Sequence, residues 1–114
     1  MEPIDIDKAV EYLGGKGAFL ATAGSFLAEC DGMLECLNSA VESADADAVG
    51  EKAHCFKGGL AFLHAAPSVE AARHLQDVAN KKPSEVPTAF ALLVKEVDRL
   101  KRVLERCLSG ENSL

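Results

Sequence analysis

The run Ala53-His54-Cys55-Phe56-Lys57-Gly58-Gly59 holds the residues of this chain best suited to chemistry. Neutral imidazole is a nucleophile near physiological pH. A lysine three residues on shares its helix face and offers a compact positive charge without fixed bidentate geometry. Two adjacent glycines follow. On a helix each costs about 1 kcal/mol relative to alanine, so their presence inside a good apolar period marks a functional position rather than a structural one. The chemistry these residues suit is acceptance of a phosphoryl group. Such a group moves through a loose, in-line transition state, and its approach must be open.

These residues need a helix to bring them together, and the apolar spacing supplies one. Successive helical residues lie about 100° apart. Val49, Ala53, Phe56, Leu60 and Leu63 step by four and three and form a core stripe. His54 falls one step off that stripe, in a row with Gly50, Lys57, Gly58, Ala61 and Ala65. Apart from Lys57 that row is glycine and alanine, so the ring is expected in a shallow clearing on an outer face. His64 and His74 have no comparable surroundings and read as surface or boundary residues.

Similar stripes run elsewhere in the chain. A short first helix is expected from an Asp5 or Asp7 cap to about Leu13, ended by Gly14-Gly15. A long second helix starts near Lys16 with Phe19, Ala23, Phe26, Cys30, Met33 and Leu37 inward, reinforced by Leu20, Leu27, Leu34 and Val41. Gly24 and Gly32 predict a kink or break near Cys30-Asp31-Gly32. The third helix begins after the Ser43–Asp47 turn. Pro67 marks the next boundary, and Ala71, Leu75 and Val78 give a fourth helix. After the Lys81–Ser84 loop, with Ser84 as N-cap, a last helix carries Val86, Phe90, Leu93, Val97, Leu100, Leu104 and Cys107 inward and ends at Ser109-Gly110. Four long amphipathic helices with short loops predict an all-α, antiparallel four-helix bundle, capped at one end by the short N-terminal helix. One domain is expected over residues 1–114.

At this point the residues resemble a known family. Ala53 to Gly59 is similar to the signature of histidine-containing phosphotransfer (HPt) proteins, A-H-x-[hydrophobic]-K-G-[small]. Ile4-Asp5 through Gly15 is similar to the family's opening segment, Phe26-Leu27 to Leu37 to its long second helix, and Leu75-Gln76 to its apolar residue followed by Glu or Gln. His64 stands where the family usually has Gly, Gly59 where Ser or Ala is common, and Ser68 where an apolar residue is expected. The resemblance implies a phosphocarrier of a two-component phosphorelay rather than an enzyme. His54 would be the phosphoacceptor, Lys57 the phosphate-facing lysine, and Gly58 the source of steric clearance. Partners would be receiver domains of response regulators, a hybrid histidine kinase, or both. They would supply the catalytic groups and Mg²⁺, and this chain would hold no cofactor. The initial Met1, close to the first helix, favours a free-standing protein over a domain cut from a larger kinase.

Bulk composition narrows the alternatives. The 114 residues carry a net charge of −6, which disfavours nucleic acid and anionic membrane surfaces as partners. No apolar stretch is long enough to span a bilayer, and no signal region opens the chain, so a cytoplasmic protein is expected. Cys30, Cys36, Cys55 and Cys107 show no CxxC pair or zinc spacing and read as small apolar core residues. Asp45-x-Asp47-x-x-Gly50 lacks the calcium-loop ligands, having Val49 and Phe56 in their places. No haem attachment motif accompanies Met33. The last stripe reads as intramolecular core, hence a monomer. The rival function is an adaptor bundle that binds a partner protein without phosphotransfer.

Overall fold

A computed structural model describes residues 1–110 and contains five α-helices: α1 (Ile6–Leu13), α2 (Lys16–Glu42), α3 (Ala46–Phe62), α4 (Ala66–Lys81) and α5 (Val86–Ser109). No strand occurs among the described residues. The last four positions of the expected 1–114 domain lie outside them. α2 neighbours α3 and α5, and α4 neighbours the same two, so the four long helices form a square. Connections of a few residues force each helix back along its predecessor, giving the antiparallel bundle. The molecule measures 42 × 21 × 20 Å, and its long dimension is that of α2, whose 27 residues span about 40 Å at 1.5 Å each. No helix among the described residues is long and apolar enough to cross a membrane.

The expected stripes are the core. Phe19, Ala23, Phe26, Cys30 and Leu37 from α2 are buried, and so are Val49, Ala53, Phe56 and Leu60 from α3. Phe26 and Phe56 stack with ring centroids 6.0 Å apart. Leu93, Val97, Leu100 and Leu104 fill the α5 side, so the α5 stripe is consumed inside the bundle. Asp5 caps α1 by accepting from the Lys8 N–H at 3.1 Å, and Asp45 caps α3 through the Ala48 N–H at 3.1 Å. The α1 segment is pinned to the end of α3 by the Asp5 N–H, which donates to the His64 carbonyl at 3.2 Å.

Four local expectations need correction. α2 runs unbroken through Cys30-Asp31-Gly32. Gly32 is exposed while Cys30 and Leu37 on either side are locked in the core, and packing outweighs the weak propensity of one glycine. Ser84 is not the N-cap of α5; that seat is Glu85, without a side-chain cap, and Ser84 sits in a 3₁₀ turn over Pro83–Glu85. Pro87 takes a first-turn position in α5, where its missing N–H costs nothing, and this sets the start at Val86. Cys30 and Cys107 are buried, but Cys36 and Cys55 are exposed, each one helical step outside a core residue, Leu37 and Phe56. Burial pushes the Cys30 thiol up to about 11, with Asp31 adding to the rise and Lys101 opposing it. Ala65 is wholly buried, because α3 ends before it and the chain turns inward.

Two departures from the family pattern now have a setting. His64 has φ 51°, the left-handed helix-end seat that glycine fills at least cost. Its backbone is held there by the Ala65 N–H to Leu60 carbonyl bond at 3.2 Å, and its ring meets Tyr12 edge-on at 5.2 Å. Ser68 is fully buried, and its Oγ has no hydrogen-bond partner among the described residues. A stranded hydroxyl costs about 1–3 kcal/mol. Ser68→Ala is therefore expected to stabilise the fold by about 1 kcal/mol, read as a higher urea midpoint with an unchanged slope.

Candidate phosphotransfer site

Helix phase places His54. With Ala53 and Phe56 wholly committed to the core, the intervening positions must point outward, and His54 is exposed. Gly58 and Gly59 extend the opening: a Cβ built at either would meet no atom within 4 Å. They serve no close helix packing, so their cost in propensity has no structural return. Ala61 is exposed on the same side. The expected row is open only in this direction. Toward the start of α3, Gly50 faces α4, where a Cβ would lie 3.8 Å from Asn80 Nδ2 and 3.9 Å from the Ala79 Cβ. Gly50 therefore belongs to the α3–α4 contact and not to the clearing.

Lys57 shares the His54 face but is half-buried, and its ammonium is not free in solvent. It donates from Nζ to Gln76 Oε1 at 3.1 Å across the α3–α4 interface. The amide nitrogen of the same side chain lies 3.4 Å from His54 Nδ1. Gln76 thus joins the expected acceptor to the expected cation. Its place beside buried Leu75 on α4 was visible as a pattern in the sequence, but its role was not, since the contact spans 22 residues. The closeness of α3 and α4 at Gly50 and Ala79 is what lets a glutamine bridge them.

The remaining histidines lie elsewhere. His64 is half-buried against Tyr12 at the bundle end. His74 is exposed on α4, next to Arg73, which is paired with Glu70 at 2.6 Å and Asp77 at 3.3 Å. Among the described residues no group of His, Cys, Asp and Glu side chains could hold a metal ion.

A family model described as the Hpt domain matches residues 22–106, from within α2 to near the end of α5. The chain belongs to the Hpt domain family. Hpt domains are helical bundles that carry phosphoryl groups in phosphorelays, where they interact with receiver domains. The match includes the whole Ala53–Gly59 run and Gln76, while α1 precedes it. No curated protein and no solved structure matches the chain.

Proposed function

We propose that this Hpt protein accepts a phosphoryl group on His54 from the aspartate of one receiver domain and returns it to the aspartate of another. The observation that carries this reading is the exposed imidazole beside a cation and an open pair of glycines. The ring supplies the nucleophile, and a receiver surface reaches it over Gly58 without meeting a side chain. Lys57 lies within reach to offset the charge of the phosphoryl oxygens. The chain has no turnover of its own in this reading: the receiver brings Mg²⁺ and the groups that activate its aspartyl phosphate, and the Hpt protein needs no cofactor. With its long apolar stripes spent in the core, it acts as a monomer. The adaptor reading would have drawn support from a buried His54, and the ring is exposed.

The experiment is incubation with a receiver domain phosphorylated on aspartate, followed by a test of the label. Phosphohistidine is a phosphoramidate, so label should be lost in acid and survive alkali. Absence of transfer from any receiver or kinase of the source organism would favour the adaptor instead.

Lys57→Ala gives a graded check. A partly exposed cation near developing charge contributes about 1 kcal/mol, equivalent to roughly fivefold in rate. Transfer should slow by about that factor, or the phosphorylated form should decay faster, with the fold intact by circular dichroism. Unchanged transfer and lifetime would reduce Lys57 to a structural contact with Gln76.

A further inference from the structure

A groove of about 1130 Å³ runs between α1 and the corner where α3 gives way to α4. It is an open trough rather than an enclosed cavity, and it exceeds the roughly 300–1,000 Å³ of small-molecule sites. Its floor is apolar: Ile6 and Val10, one turn apart, line it from α1, and Ala61 and Val69 line it from α3 and α4. Its edges are acidic, with Glu11 on α1, Glu70 on α4 and Glu2 on the segment before α1. Asp5 and Asp7 add two more carboxylates, against the ammonium groups of Lys8 and Lys16. Glu2 and Glu11 are exposed and make no ion pair among the described residues. The edge that bears Glu2 is fixed in place. Pro3 and Ile4 are buried, the Met1 carbonyl accepts from the Arg99 guanidinium, and the Asp5 N–H donates to the His64 carbonyl. A preformed groove lowers the ordering cost of binding.

An apolar floor between acidic edges is the complement of a helix whose apolar stripe is flanked by Lys or Arg. Nucleic acid and anionic bilayers meet the same carboxylates and are repelled. We propose that this groove docks a basic amphipathic helix of the partner that closes over His54, as a second contact beside the phosphotransfer site. The identity of that partner rests on His54 being the acceptor. Ala61 joins the two places: it is exposed in the His54 row and lines the groove. Seven residues separate it from His54, roughly 10 Å along α3, so one bound partner spans both. A second contact tethered to the first raises affinity with no change at the histidine. A receiver or kinase that carries such a helix is thereby favoured over one that lacks it.

The test uses the full ¹⁵N-labelled chain and a synthetic helical peptide with a leucine stripe flanked by arginines. One control peptide has glutamate in place of each arginine, and another has the same residues in scrambled order. Amide shifts on binding should centre on Ile6, Val10, Ala61 and Val69 and leave the exposed α5 positions Lys95 and Asp98 unmoved. Neither control should bind, and added salt should weaken the complex. Glu2→Lys combined with Glu11→Lys should weaken binding about tenfold, equivalent to about 1.4 kcal/mol, with thermal unfolding unchanged. Shifts centred on another face, equal binding of a control peptide, or undiminished binding by the double variant would overturn the groove. The peptide carries no phosphoryl group, so the result is independent of the labelling experiment, and His54→Gln should bind it as the wild type does. A peptide that binds while no receiver labels His54 would keep the groove and remove the acceptor reading.

Discussion

His54→Gln is expected to abolish labelling by a phosphorylated receiver while leaving the protein folded. The side chain is exposed, and its one side-chain hydrogen bond among the described residues is a 3.4 Å contact with Gln76, so the substitution should change stability by no more than about 0.5 kcal/mol. The loss of label should nevertheless be complete, because neither other histidine offers a substitute. His64 is half-buried against the Tyr12 ring with its backbone in a left-handed turn. His74 is exposed, but among the described residues no lysine is hydrogen-bonded to a neighbour of its ring as Lys57 is beside His54, and its helix contains no glycine. The check pairs acid-labile, alkali-stable label with a urea midpoint for wild type and variant. Full labelling of His54→Gln, or label mapped to His64 or His74, would overturn the assignment.

Gly58→Gln should separate stability from activity in opposite directions. In the free protein a Cβ at this position meets nothing within 4 Å. Replacing a mid-helix glycine by a good helix former is then expected to stabilise by up to about 1 kcal/mol. In a complex with a receiver that closes over His54, the same side chain would stand in the path of the approaching active site. A packing clash of roughly 2–3 kcal/mol corresponds to a loss on the order of a hundredfold in transfer rate. Thermal or urea unfolding and single-turnover transfer, measured on one preparation, give both signs. Normal transfer by this variant would show that clearance at residue 58 is not needed, and a destabilised variant would show that the glycine has a structural duty in α3.

The two variants probe features that differ in how they were encoded. The helices were legible because burial repeats locally: the stripe through Val49, Ala53, Phe56, Leu60 and Leu63 is wholly buried, and the same phase that buries Ala53 turns His54 outward. Capping was legible where the cap is made within one turn, as at Asp5 and Asp45. It failed at Ser84, where the register was decided by seating Pro87 in the first turn of α5. The cysteines show the same division. Their type suggested the core, but a side chain one helical step from Leu37 or Phe56 faces solvent whatever its polarity.

By itself, then, the sequence determined the all-α bundle, the outward direction of His54, and the small residues at Gly58 and Gly59, because all of these follow from periodicity within a single helix. Only the tertiary structure decided that Gly50 packs on α4 while Gly58 stays open, and that Lys57 is held by Gln76 rather than by solvent. Those outcomes depend on how closely α3 and α4 approach and at what rotation. Helix periodicity carries no term for the distance between two helices, and a hydrogen bond between residues 57 and 76 exists only once that distance is set.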